Sequence, residues 1–139
     1  MKNGKAFLTA LTIALADTAV KGFIKEPPVK NYGFAGNTLD DHPKAVAYVS
    51  AALTGVMTVS LAAADERLKL PLAVILGGAL SNSADRLIRS YVVDYIPMGK
   101  KYYGNLSDLA IFIGTGMTAV ISLFEKGEGR AASDDVVSA

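Results

Sequence analysis

The chain has no cysteine in 139 residues, which excludes disulfides, thiolate nucleophiles and cysteine-bound metals. Histidine is nearly absent too: His42 alone leaves a zinc or haem site without its usual ligands. A Ser-His-Asp triad would have to rest on that one side chain, beside Pro43 in a turn-rich segment. There is no charge imbalance, 14 Lys and Arg standing against 13 Asp and Glu, and no basic cluster, so nucleic acid is not an expected partner. No internal repeat is visible. Proline is scarce outside one segment, three of the five lying between Lys25 and Lys44.

What is present is apolar residue in long runs. At 51% hydrophobic the chain sits above the soluble range, and its length holds one domain. Four stretches carry little charge: Phe7 to Ile24, Ala45 to Ala64, Leu70 to Ala84 and Leu106 to Phe124. Ala45 to Ala64 is twenty residues without a charge, enough to cross a hydrocarbon core, and it is apolar or small on every side. Leu109 to Phe124 adds sixteen more. The first stretch contains Asp17 and Lys21 and the third runs into Asp85 and Arg86, so either alone would also suit a buried helix of a soluble protein. Dense Ala, Gly and Ser favour a membrane bundle, where small residues let helices approach.

The expected fold is therefore an all-α membrane protein with four transmembrane helices, over approximately 7–24, 45–64, 70–90 and 106–124. Residues 1–126 form the membrane domain and 127–139 a polar tail expected to be disordered. Met1 to Ile24 imitates a secretory signal, but Asp17 inside the run and the lack of a small-x-small cleavage site make it an uncleaved first span. Lysine and arginine fall on both sides of such a bundle, so the positive-inside rule does not orient it. Lys25 to Lys44 reads as turn-rich and extended, with Asn31-Tyr32-Gly33-Phe34 as a short interfacial strand or hairpin. Ala64 to Lys69 is a tight link that makes spans two and three antiparallel neighbours. Ser90 to Gly104 carries four tyrosines among lysines, an interfacial composition.

Charges at the ends of these runs need a reason, because an ionised aspartate at a bilayer centre costs roughly 2.5–3.5 kcal/mol on insertion scales. Asn82, Asp85, Arg86 and Arg89 share one helical face, which suits either a site or an ion-pair network of Asp85 with Arg86 or Arg89. Asp108 follows Asn105 by three residues, as in a capping box. Asp94 has no such role, lying between apolar and aromatic residues. If spans three and four are antiparallel neighbours, Asp94 and Asp108 meet at one membrane face. Two close carboxylates drive their pKa values apart, giving a base and an acid that together activate a water, although proton relays and ion sites use such carboxylates as well.

The segment GGALSNSADRLIRSYVVDYI resembles the GGAxGNxxDRxxxGxVVDF block of the bacterial prolipoprotein signal peptidases, also called signal peptidase II, retaining Asn82, Asp85, Arg86 and Asp94. GNLSD resembles that family's FNxAD, keeping Asn105 and Asp108; LADTAVK resembles LDQxTK, with Asp17 and Lys21 in place; NYGFAGN resembles NxGxAF, with Asn31 and Gly33. The resemblance implies a four-helix membrane fold with a small extracytoplasmic β-like cradle and both termini cytoplasmic. It also implies an intramembrane aspartic endopeptidase whose catalytic pair is Asp94 and Asp108. Asn31, Asn82, Asp85, Arg86 and Asn105 would order the site or bind substrate, and Asp17 with Lys21 would support the first span. The implied partners are diacylglyceryl-modified prolipoproteins and membrane lipids, the implied location is the bacterial cytoplasmic membrane with the site near its outer face, and the expected state is a monomer. No metal or organic cofactor is implied. The chain departs from the motifs at Thr18, Ser81, Ser90, Gly104 and Ser107 and lacks the final AF of the cradle motif, which motivates a second reading as a non-catalytic homologue that binds lipoproteins or a partner helix. A proton or ion pathway through Asp17, Asp85, Asp94 and Asp108 is a third.

Overall fold

A computed structural model describes residues 1–34 and 38–137, with side chains described as far as Glu125. Long helices and short strands follow in the order α1 (Asn3–Phe23), β1 (Val29–Asn31), α2 (Pro43–Ala63), α3 (Glu66–Arg89), β2 (Val92–Asp94), β3 (Ile96–Pro97), β4 (Tyr103–Gly104) and α4 (Leu106–Val137). The polar tail expected over 127–139 lies outside the described side chains. Among the described residues three helices are long and apolar enough to cross a membrane: α1, α2 and Leu106–Glu125 of α4. The third stretch forms a helix as expected, but α3 carries charge at both ends and is not among those three.

α3 is the centre of the bundle. It packs along α1, α2 and α4, which touch one another little. Close approach explains why this is possible: a side chain at Gly77 would strike Ile13 and the Ala10 carbonyl of α1, and one at Gly78 would strike the Ser107 carbonyl and Ile111 of α4. The opposing face of α1 is built from small residues at helical spacing, Ala6, Ala10 and Ala14, and that same buried stripe continues into Asp17 and Lys21. Ala6, Ala10, Leu61, Ala73 and Leu76 form the apolar core. It lies toward the end where Met1 meets Glu66, Asn3 meets the Ala62 carbonyl and Arg67 meets Glu125.

The strands sit at the other end of the bundle. β1 pairs antiparallel with β2 in the register Val29 to Asp94, Lys30 to Val93 and Asn31 to Val92; β3 pairs antiparallel with β4. Ser90, which closes α3, takes a left-handed φ of 66° that redirects the chain into β2. A non-glycine residue holds that conformation at a cost of about 1–2 kcal/mol. The turn from α3 into β2 is what delivers Asp94 to the bundle end where α4 begins.

Candidate active site

Asp108 lies in the first turn of α4 and takes part in a capping box. Its backbone N–H donates to Asn105 Oδ1 at 2.9 Å, and its Oδ2 accepts the Asn105 backbone N–H at 3.1 Å. The cap does not exhaust the carboxylate, since Oδ1 accepts from Asn82 Nδ2 on α3 at 2.9 Å. Asp94, 2% exposed at the end of β2, is held on both oxygens: Oδ1 accepts from Asn105 Nδ2 at 2.8 Å and Oδ2 from Asn31 Nδ2 at 3.1 Å.

Each of the three donating amides is itself fixed. Asn31 Oδ1 accepts the Gly33 N–H at 3.1 Å, Asn105 Oδ1 accepts the Asp108 N–H, and Asn82 Oδ1 accepts from Lys21 Nζ at 2.9 Å. None can turn its oxygen toward a carboxylate without losing that second bond, so all four carboxylate oxygens face N–H donors. Asn105 serves both aspartates at once.

Around this pair stands a second layer of charge. Lys21, with no exposed surface, reaches Asp17 Oδ2 at 2.7 Å and Asp85 Oδ2 at 3.1 Å. Asp85 also pairs with Arg89 at 3.5 Å and accepts the Val93 N–H at 3.3 Å, steadying the strand one residue before Asp94. The expected ion-pair partner among the arginines is therefore Arg89. Arg86 turns instead to the Gly33 carbonyl at 2.8 Å and lies over the Phe34 ring, leaving its buried Nε without a partner among the described residues.

A cavity of about 440 Å³ opens over the two carboxylates. Its polar end is Asn31, Asn82, Arg86, Asp94 and Asp108; its walls are Val92, Met98, Tyr102, Tyr103, Ile111 and Phe112. The expected catalytic and binding positions thus divide by place. Asp94, Asp108, Asn31, Asn82 and Arg86 line the cavity, Asn105 stands behind it touching both aspartates, and Asp17, Lys21 and Asp85 form the buried layer beneath. Burial, together with the negative charge of Asp108, holds the Asp94 carboxyl above the usual carboxylate range, against the lowering effect of the Asn31 and Asn105 bonds. Three residues that hold this layer were not singled out as site residues by the sequence: buried Ser81 and Ser107 and half-buried Tyr95 all donate to Asp17. Their hydroxyls come from three segments with no common spacing, so no motif announces them.

A family model described as Signal peptidase (SPase) II matches residues 5–124. The lipoprotein signal peptidase of Haemophilus influenzae (strain PittGG) is 32% identical over 120 residues, covering 78% of this chain and 69% of that protein. That of Vibrio vulnificus (strain CMCP6) is 29% identical over 153 residues, covering 87% and 89%. Among solved structures, a bacterial membrane enzyme determined by the in meso method at 2.3 Å resolution superposes with a TM-score of 0.78 at 18% identity, covering 90% of this chain and 91% of the other, a likeness of fold.

Proposed function

We propose that this chain, which belongs to the lipoprotein signal peptidase (signal peptidase II) family, removes the signal peptide from prolipoproteins by hydrolysis on the N-terminal side of a diacylglyceryl-modified cysteine. The observation that carries the mechanism is the pair of carboxylates, Asp94 and Asp108, lining one cavity with every oxygen held by an oriented N–H donor. Each oxygen keeps a second lone pair for water or substrate. The raised pKa of Asp94 beside Asp108 supports a pair that shares one proton.

In that state the ionised carboxylate takes a proton from a water as its oxygen adds to the scissile carbonyl carbon, and the protonated one gives its proton to the carbonyl oxygen. The tetrahedral diol collapses as one carboxyl of the pair gives a proton to the departing cysteine nitrogen and the other carboxylate takes one from a diol hydroxyl, which restores the shared proton. The C–N bond breaks, leaving a new carboxyl on the signal peptide and a free amine on the lipidated cysteine. Arg86 and the Asn31 amide stand at the cavity's polar end, where a substrate backbone would lie, while Ile111 and Phe112 offer apolar contact for its lipid.

The bacterial membrane placement given by the family and the apolar helices extends, on this reading, to the cytoplasmic membrane, with residues 1–126 as its membrane domain acting as a monomer. α3 is the fourth crossing, its polar face sheathed by α1, α2 and α4. The site lies near the extracytoplasmic face, with the opposite end of the bundle cytoplasmic.

The test is cleavage by the purified protein, in mixed micelles, of a precursor carrying the diacylglyceryl group and of the same precursor without it. Mass spectrometry should show the lipidated precursor cut immediately before its cysteine and the unlipidated one left whole. Binding of the lipidated precursor with no product would replace this reading by the non-catalytic one.

The pH profile supplies a second check. On the alkaline side activity fails as the pair loses its shared proton. The Asn31 bond favours the ionised form of Asp94, so removing it in Asn31→Ala lets the pair hold its proton to higher pH. The alkaline limb of kcat/KM therefore moves up in Asn31→Ala relative to the parent. A limb that stays in place or moves down contradicts the role given to this bond.

A further inference from the structure

Asp17 has no exposed surface, and its two oxygens gather hydroxyls from three separate parts of the chain. Ser81 Oγ on α3 donates to Oδ2 at 2.7 Å and Ser107 Oγ on α4 donates to the same oxygen. Tyr95 Oη, just after β2, donates to Oδ1 at 2.9 Å. Hydroxyls from α3, from α4 and from the residue after β2 thus meet at one buried carboxylate.

Tyr95 also has a place in the site that Ser81 lacks. It follows Asp94 directly, its backbone N–H donates to the Gly104 carbonyl at 2.8 Å, and its hydroxyl accepts the Leu106 N–H at 3.2 Å. Leu106 is the first residue of α4, two before Asp108. One phenol therefore joins the strand bearing Asp94, the helix start bearing Asp108, and α1. β2 needs such a tether, because a three-residue strand in a two-stranded ladder has little stability of its own.

We propose that Tyr95 is a positioning residue: its hydroxyl, gripped by Asp17 within a cage completed by Ser81 and Ser107, fixes Asp94 against the first turn of α4 and so sets the spacing of the carboxylate pair. The bond to an ionised carboxylate is of the stronger, charge-assisted kind. Burial, and to a lesser degree the acceptor Asp17, pushes the Tyr95 phenol up to about 12, so it remains a donor throughout the working range. The inference rests on Asp94 and Asp108 being the hydrolytic pair.

Tyr95→Phe, Ser107→Ala and the double variant test it through two readouts: steady-state cleavage of a lipidated precursor, and titration of the Asp94 carboxyl followed by NMR in micelles. The charged groups facing Asp94 are Asp108 from α4, Lys21 from α1 and Arg86 from α3, and none is altered in these variants. Tyr95→Phe is expected to lower kcat about tenfold with KM within about twofold, as small misplacements of reacting groups do. Its Asp94 titration should move down toward the ordinary carboxylate range as the strand loosens from Asp108 and water enters. Ser107→Ala should move both readouts the same way by less, and the double variant should be no worse than Tyr95→Phe, since both act through Asp17. Wild-type kcat and an unmoved Asp94 titration in Tyr95→Phe, with only a lower Tm, would overturn the proposal. Should Tyr95→Phe fail to fold, Ser107→Ala decides by the same two readouts. A parent protein that cleaves nothing refutes the peptidase reading, while the titration still decides the tether.

Discussion

Asp94→Asn and Asp108→Asn are each expected to abolish cleavage of a lipidated precursor, with rates falling about 10³-fold or more, on the scale of lost general acid–base catalysis. An asparagine can imitate the shape of a protonated aspartate but can neither accept the water's proton nor donate one to the carbonyl oxygen. The substitution also has a structural cost that the geometry specifies. All four carboxylate oxygens face N–H donors, so an amide placed at either position must turn its NH₂ toward one of them. The donors cannot easily turn away, being held in turn by Gly33, Asp108 and Lys21. Each variant should therefore lose about 1–3 kcal/mol of stability, the penalty of an unsatisfied buried group, while remaining folded in micelles. The double variant should be no slower than either single one, because the two groups act as a unit. Single-turnover cleavage followed by mass spectrometry, alongside thermal unfolding, separates chemistry from folding. Retained cleavage in either single variant would remove the pair from the mechanism.

Much of this arrangement is legible in the sequence, because hydrocarbon and helix geometry constrain it strongly. Ala45 to Ala64 has no charge to offer water and becomes α2, and the i, i+4 pair of Asp17 and Lys21 becomes a buried ion pair on the α1 stripe. Asn105 and Asp108 carry the signature of a capping box and form one. The same aspartate is also expected to face Asp94 if spans three and four are neighbours; what spacing could not reveal was the Asn82 bond that orients its other oxygen, since that depends on where α3 places Asn82. The position of α3 was harder to read for the same reason: its charges suit a soluble helix equally well until three apolar neighbours are seen around it. The shared face of Asn82, Asp85, Arg86 and Arg89 left Asp85's arginine partner open between two candidates. The fold decides for Arg89, because Arg86 is drawn to the Gly33 carbonyl. The hydroxyls of Ser81, Tyr95 and Ser107 lay beyond reach, because their common partner is defined only by the tertiary meeting of α1, α3 and α4.

Lys21→Met should be the most damaging substitution for folding. The ammonium sits with no exposed surface between Asp17 and Asp85, at 2.7 and 3.1 Å, and donates to Asn82 Oδ1 at 2.9 Å. A methionine of similar length fills the space and supplies none of this charge. Two carboxylates are then left buried against each other, and Arg89, at 3.5 Å from Asp85, offsets one of them only in part. Breaking a buried pair from one side costs about 3–5 kcal/mol, a large fraction of the stability of a domain this size. Denaturation in mixed micelles should show that loss. Removing the orphaned charge as well, in Lys21→Met with Asp17→Asn, should restore part of it, since neutral groups no longer demand a counter-ion. Activity should not return with stability. Asn82 is held from both sides, and without the Lys21 donor its oxygen loses its partner, so the amide that orients Asp108 is fixed at one end only and the carboxylate is less well placed. A double variant that regains stability and full cleavage together would show that Lys21 holds the fold but leaves the orientation of Asn82 to other groups.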